Sequence, residues 1–241
     1  MAGIKQISGR RSTTNKPKAR RKSTARVANQ DKWLLTNLDE YLEDENTPPR
    51  AGVFHPSQVG QPCDRLLYLG YNGLLNSYPI SPTLQRIFNS GSSLEDRVSK
   101  YFHEMGILVD REKPVVLDEP PFSGRIDFII KHGEYGLMPI ELKSINTNGF
   151  SKLIEEPKPE HLIQLQLYLH IWNGERETKQ PYGTVLYENK NDQSLKAFLI
   201  KHDEAIVDQI FQRCDRIRNL DTCPSYCGGD KWCACKGVEN G

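Results

Sequence analysis

The chain has 241 residues, 37% of them hydrophobic and 26% charged, long enough for one large domain or two small ones around a buried core. No run of about 18 apolar residues is present and the N-terminus lacks the apolar stretch of a secretory signal, so a membrane span is excluded and an intracellular, non-secreted protein is expected. The net charge of +1 hides an asymmetry: nine of the 32 Lys/Arg fall in residues 1–30, which contain no acid, leaving 23 bases against 31 acids in the remainder.

Residues 1–30 are rich in Ser, Thr, Lys and Arg without apolar periodicity. They read as a disordered basic arm, either a solubilising or targeting tail or a nucleic-acid tether. Residues 31–241 read as a single folded domain. Its first helix is expected over Asp31–Glu45, where Trp33, Leu34, Leu38, Tyr41 and Leu42 recur at helical spacing before Pro48 and Pro49. A short helix runs from Pro62 through Cys63, Arg65 and Leu67 to Gly70. The strongest helix follows Ser81-Pro82, with Leu84, Ile87, Phe88, Gly91, Leu94, Glu95, Val98 and Phe102 on one stripe. Two members of that stripe are out of place: Gly91 weakens a helix interior by about 1 kcal/mol, and Glu95 puts a charge on an apolar face.

Short β-like runs follow at Ile107–Val109, Val115–Leu117, Gly124–Ile130 and Leu137–Lys143. A helix spans Pro159–Asn173, with Leu162, Leu165, Leu169 and Trp172 on one side. Strands Thr184–Glu188 and Leu195–Ile200 flank the polar turn Asn189–Gln193, and a last helix covers Glu204–Asn219. This alternation predicts an α/β fold, a central mixed sheet with helices on both faces.

Strand alternation puts Ile126, Phe128 and Ile130 on one face and Arg125, Asp127 and Ile129 on the other. An Asp among such neighbours is costly unless paired or metal-bound. Glu141 follows fourteen positions later in Pro139-Ile140-Glu141-Leu142-Lys143, sharing a face with Lys143. If the two strands form a hairpin, Asp127, Glu141 and Lys143 cluster at one sheet surface. Carboxylates that close need a cation to stay ionised, and a hard divalent ion such as Mg²⁺ suits oxygen ligands.

The order is an acid on a helix (Glu95), a strand Asp (Asp127), a strand Glu-x-Lys (Glu141, Lys143), then Gln164-x3-Tyr168 on one helical face. In this the chain resembles the RecB-type exonucleases of the PD-(D/E)XK nuclease superfamily, a group that includes phage recombination and CRISPR-adaptation nucleases. The likeness covers roughly residues 55–235 of the sequence. It implies a restriction-endonuclease-like core and a Mg²⁺- or Mn²⁺-dependent DNA exonuclease acting on single strands or duplex ends. It implies that Glu95, Asp127 and Glu141 hold the ion, that Lys143 orients or activates the attacking water, and that Gln164 and Tyr168 contact substrate. Many relatives carry His at the helix-acid step; this chain does not, and Asp96 is the neighbouring rival of Glu95. Arg125 either contacts phosphate or pairs with Asp127. Expected partners are DNA and recombination or replication proteins. Two other functions stay open: a catalytically quiet DNA-end-binding module and a restriction-type endonuclease.

Six cysteines stand at 63, 214, 223, 227, 233 and 235. Without a secretion signal, crowded thiols read as metal ligands rather than disulfides. Four fall within the thirteen residues 223–235, where structural zinc in S₄ geometry is one reading. The other recruits Cys63, because a lone Cys before Arg at a helix start resembles the iron–sulfur branch of the same nuclease group. That resemblance implies a [4Fe-4S] cluster on Cys63, Cys223, Cys227 and Cys233, with Cys235 as the substitute ligand, clipping the two ends of the fold together. Cys214, on an amphipathic helix, is expected in the core.

Overall fold

A computed structural model describes residues 31–43, 50–77, 80–228, 233 and 235; the expected basic arm, residues 1–30, lies outside the described residues. The first helix, α1 (Lys32–Glu43), is followed by α2 (Pro56–Val59), α3 (Asp64–Tyr71), a 3₁₀ turn (Leu74–Ser77) and α4 (Pro82–Glu104). Three strands come next: β1 (Leu108–Leu117), β2 (Phe122–His132) and β3 (Gly136–Ile145). Then α5 (Thr147–Ser151), α6 (Pro159–Gly174), β4 (Tyr182–Asn189), β5 (Leu195–Lys201) and α7 (Glu204–Arg218) complete the order. The two short runs expected before Leu117 are one strand, β1. The elements α2, α5 and the 3₁₀ turn are too short to show a period.

The five strands lie in the order β1-β2-β3-β4-β5. The pairs β1–β2, β2–β3 and β4–β5 are antiparallel, and β3–β4 is parallel. A parallel neighbour demands a crossover, which α5 and α6 provide. The expected α/β class, a mixed sheet with helices on both faces, is what forms.

On one face, Leu94 and Val98 of α4 meet Phe128, Ile130, Met138, Ile140 and Leu142. The stripe of α4 divides at Gly91: Leu84, Ile87 and Phe88, one to two turns earlier, are exposed. Arg86 of this outer half pairs with Asp39 of α1 at 2.6 Å. On the other face, Leu165 and Leu169 of α6 pack against Ile145, Val185 and Tyr187. The far side of α6 is covered as well, because Leu167, Ile171 and Trp172 join Val59, Leu67, Ile210, Cys214 and Ile217 of α2, α3 and α7. So α6 is enclosed rather than amphipathic, and Cys214 is a core residue as expected. At Gly60 an added Cβ would lie 2.3 Å from the Glu160 carbonyl oxygen, so only glycine lets α2 approach α6 this closely.

One alternation fails. Ile126 packs with Ile129 in the α6 layer, while Phe128 and Ile130 feed the α4 layer. The change of side falls at Asp127. Across from it, between the pairs Arg111↔Phe128 and Lys113↔Ile126, Glu112 adopts φ 49°, a left-handed backbone that interrupts the pleat of β1.

Candidate active site and thiol cluster

The paired residues of β2 and β3 run from His132↔Gly136 to Phe128↔Ile140. Beyond that point β3 continues against β4, with Glu141↔Val185 and Lys143↔Tyr187. Asp127 sits where the two strands part. Its Oδ2 accepts the N–H of Leu142 at 2.7 Å, so a side chain replaces a backbone acceptor at the fork. Ile140 and Leu142 face α4, which turns Glu141 and Lys143 toward α6 by strand alternation.

Glu141 is 0% exposed. The Lys143 ammonium forms an ion pair with its Oε1, yet neither carboxylate oxygen accepts a hydrogen bond of proper geometry. Burial raises the pKa of Glu141 against the pull of Lys143. Burial and then the charge of Glu141 raise Asp127 well above the usual carboxylate range. For Lys143 burial acts downward, but Glu141 and Asp127 outweigh it and hold the ammonium charged. Glu95 reaches in from α4; burial raises its pKa, and after burial Glu112 raises it too, while Arg111 and Lys143 oppose. The four groups Glu95, Asp127, Glu141 and Lys143 are thus brought within reach of one another's charge. With all three carboxyls ionised, they exceed the one ammonium by two negative charges, the balance a divalent cation offsets.

Asp96 is exposed and pairs with Arg111 at 2.5 Å. Arg125 is exposed and pairs with Glu112 at 3.4 Å, not with Asp127. Gln164 and Tyr168 do project together, with Gln164 Nε2 donating to the Tyr168 hydroxyl at 3.3 Å. Both are buried, at 4% and 3% exposure, and Tyr168 also receives the backbone N–H of Arg125. Tyr168 therefore braces the strand that carries Asp127. Gly124 on the same strand leaves room for this, since a Cβ there would stand 3.1 Å from Tyr168 Cε1 and from Pro56 Cδ.

Two members of this neighbourhood escaped the sequence reading. His161 lies on α6 one turn before Gln164, and its Nδ1 is 2.7 Å from the Tyr187 hydroxyl. Burial, Lys143 and Lys158 lower its pKa to about 3, leaving a neutral ring. Its i, i+3 relation to Gln164 was the available signal. Glu112 faces Glu95 and Arg125, and nothing in the local sequence marks it. Beside this wall, a cleft of about 480 Å³ between α5 and the start of α6 is lined by Asn146, Asn148, Lys152 and Lys158.

The thiols gather at the start of α3. Cys63 caps α3, its sulfur accepting the N–H of Leu66 at 3.3 Å. Cys63, Cys227, Cys233 and Cys235 place their sulfurs within 4.8 Å of one another. Cys235 is 3.5 Å from Cys63, 3.6 Å from Cys227 and 3.3 Å from Cys233. Cys235 thus completes the group. Cys223 stands beside it, accepting a hydrogen bond from Arg65 Nη1 at 3.0 Å. Nearby, Arg213 of α7 binds Asp64 and the carbonyls of Val59 and Gln61 at 2.8–2.9 Å, fixing α7 against the α2–α3 loop.

A tetrahedral Zn²⁺ with Zn–S of about 2.3 Å sets its sulfurs ~3.8 Å apart. The three sulfur–sulfur separations of 3.3–3.6 Å are near that edge. The four thiols could together hold a metal ion, and Cys235, the substitute ligand, stands in the group where Cys223 was expected.

Among the described residues, no helix is long and apolar enough to cross a membrane. No family model matches the chain, and no curated protein sequence does. Solved structures of similar shape include SSO0001, at 16% identity and TM-score 0.48, covering 80% of this chain and 89% of that one. An alkaline exonuclease, LHK-Exo, from Laribacter hongkongensis has 20% identity and TM-score 0.47, covering 74% and 90%. LHK-Exo in complex with dAMP has 19% identity and TM-score 0.47, covering 69% and 86%.

Proposed function

We propose that residues 31–241 form one PD-(D/E)XK-type nuclease domain, a Mg²⁺- or Mn²⁺-dependent DNA exonuclease acting on single strands or duplex ends. One observation carries this reading: a fully buried Glu141 whose carboxylate is paired with the Lys143 ammonium, with a second carboxylate, Asp127, close enough to feel its charge. A structural ion pair would need no second carboxylate at the same spot, and a third in Glu95 adds repulsion without benefit. Oxygen ligands on a hard divalent cation account for all three.

Glu95, Asp127 and Glu141 would hold the ion. When bound, such an ion lowers the pKa of water and polarises a phosphoryl oxygen. The chain's own groups do the rest. Lys143, kept protonated by the same carboxylates, orients the attacking water and faces the phosphoryl oxygens as a fixed cation. Gln164 and Tyr168 act as positioning residues, holding the start of β2 so that Asp127 keeps its place. Lys152 and Lys158 in the adjoining cleft, with exposed Arg125, offer phosphate contacts along a DNA strand. The thiol group is read as a structural zinc site on Cys63, Cys227, Cys233 and Cys235, tying α3 to the segment after α7.

End-labelled linear and circular DNA, with Mg²⁺, Mn²⁺ or EDTA, test the reading. Linear DNA should be trimmed with circles untouched, EDTA should stop the reaction, and Asp127→Ala should lose activity while retaining DNA affinity. Cleavage by the Asp127→Ala protein would falsify the site; cutting of circles would replace exonuclease by endonuclease.

A further inference from the structure

A second group of metal-ligating side chains lies where α6, β5 and α7 meet, and it uses none of the residues of the carboxylate or thiol clusters. His170 comes from α6, His202 directly follows β5, and Glu204 opens α7. Their ligand atoms all lie within 4.8 Å of one another. Glu204 Oε1 is 3.2 Å from His170 Nδ1 and its Oε2 is 3.6 Å from His202 Nε2. The second distance is too long for a hydrogen bond. Accordingly, His202 Nε2 is buried without a partner, an arrangement that leaves a polar nitrogen unsatisfied.

The three side chains are held in place by bonds that do not involve their own ligand atoms. Buried Gln166 clamps the segment before α7 on both sides: its Nε2 donates to the Lys201 carbonyl and its Oε1 accepts the N–H of Asp203, each at 2.8 Å. The N–H of His202 donates to the Pro181 carbonyl at 2.7 Å. Asp203 caps α7 through the N–H of Ala205 at 3.0 Å, which sets the direction of Glu204. The edge contact of Phe211 with the His170 ring, centroids 5.2 Å apart, fixes that imidazole. Such outer contacts are what orient ligands in metal sites.

We infer that His170, His202 and Glu204 form an accessory site for a borderline divalent transition ion, Zn²⁺ in class. Two imidazole nitrogens and one carboxylate oxygen are a ligand set that Zn²⁺ accepts and Mg²⁺ does not prefer. One ion between them satisfies the orphaned His202 nitrogen, which the carboxylate alone fails to reach. The Glu204 side chain is 60% exposed, so the fourth position opens to water. Bound there, the ion ties the central helix α6 to the start of α7.

The inference does not rest on the nuclease reading, and its test reads metal, not cleavage. The full chain, with the metal content of its thiol cluster measured first, is titrated with Zn²⁺ in excess Mg²⁺ by calorimetry, and with Co²⁺ by visible absorption. The expected result is one further equivalent of Zn²⁺, and a Co²⁺ d–d band without thiolate charge transfer. His202→Ala and Glu204→Ala should each weaken that equivalent about tenfold or more while the thiol-bound metal is unchanged. Glu204 lies at the surface, so its variant guards against a fold defect in the His202 variant. Uptake of no Zn²⁺ beyond the thiol-bound metal, or equal affinity in Glu204→Ala and the parent chain, overturns the site and leaves a plain ion pair.

Discussion

The carboxylate cluster and the thiol cluster both crowd groups that repel one another or go unsatisfied, but they are built on different scales. Asp127, Glu141 and Lys143 sit on neighbouring strands, Asp127 just past the end of their ladder and held there by its bond to the Leu142 N–H. Cys63 and Cys235, 172 positions apart, meet only because α3, α7 and the following segment converge. A site held by backbone can keep its shape at the expense of shifted pKa values. A site held by sulfur across distant segments needs its ion as a structural part. Under the proposed function the first is a place for chemistry and the second for stability, and substitutions should separate the two.

The largest effect is expected at the fork of β2 and β3. Asp127→Asn keeps an acceptor for the Leu142 N–H but removes the charge. DNA cleavage should fall by about 10³-fold, within the range for a lost acid–base or charge-positioning group. The melting temperature should hold or rise, because a buried like-charge contact disappears. A large loss of stability with activity retained would reverse the contrast.

Cys63→Ser and Cys235→Ser should act the other way. Each should release the bound metal and lower unfolding free energy by about 4 kcal/mol, the scale of a lost structural metal. Urea unfolding and metal analysis read this. Cys223→Ala should retain the metal and lose about 1 kcal/mol, the value of its hydrogen bond from Arg65. A colourless preparation with one zinc per thiol cluster is expected; a brown one with broad absorbance near ~400 nm would restore the iron–sulfur assignment and Cys223 as a ligand.

Tyr168→Phe removes the hydroxyl that joins Gln164 to the Arg125 backbone. It should lower stability by about 1 kcal/mol and activity by roughly tenfold through a displaced Asp127, without altering the thiol-bound metal. Mg²⁺ dependence of cleavage should shift to higher concentration, a readout that a merely packing role would not move.

His161 gives a smaller, pH-dependent test on the carboxylate side. Its pKa is lowered to about 3 in the folded protein against about 6.5 when unfolded. The unfolded chain binds the proton first as pH falls, so this group's stability is present above about 6.5 and lost on the way down toward 3. His161→Gln should blunt the acid loss between pH 7 and about pH 5.5 by roughly 1 kcal/mol, seen as a narrowing gap between the two melting curves. Smallest of all is Arg125→Ala, an exposed pair with Glu112, where stability should change by less than about 1 kcal/mol.

Much of this was legible in residue order. The helices at α4, α6 and α7, the strands and the mixed character of the sheet follow from apolar periods of 3.6 and 2 with Pro and Gly between them. The nearness of Asp127 to Glu141 and Lys143 was legible from a short hairpin, though the ladder ends one pair before Asp127 and its side-chain bond to the Leu142 N–H completes the approach. Glu95 was visible as a charge in an apolar stripe. The enclosure of α6 was not, because Leu167 and Ile171 look like a second, weaker face until α2, α3 and α7 cover them. The bond from Arg125 to Glu112 was equally hidden, since the left-handed backbone at Glu112 turns β1 and Ile126 away from strict alternation.

Element types, the spacing of the acids and the supply of thiols are properties of local order, because backbone sterics and side-chain periodicity act over a few residues. The choice of Cys235 for the sulfur group, the enclosure of Tyr168 and the meeting of His170 with His202 are settled at long range. Each depends on which surfaces are buried against each other, and that free energy exists only once the chain has closed.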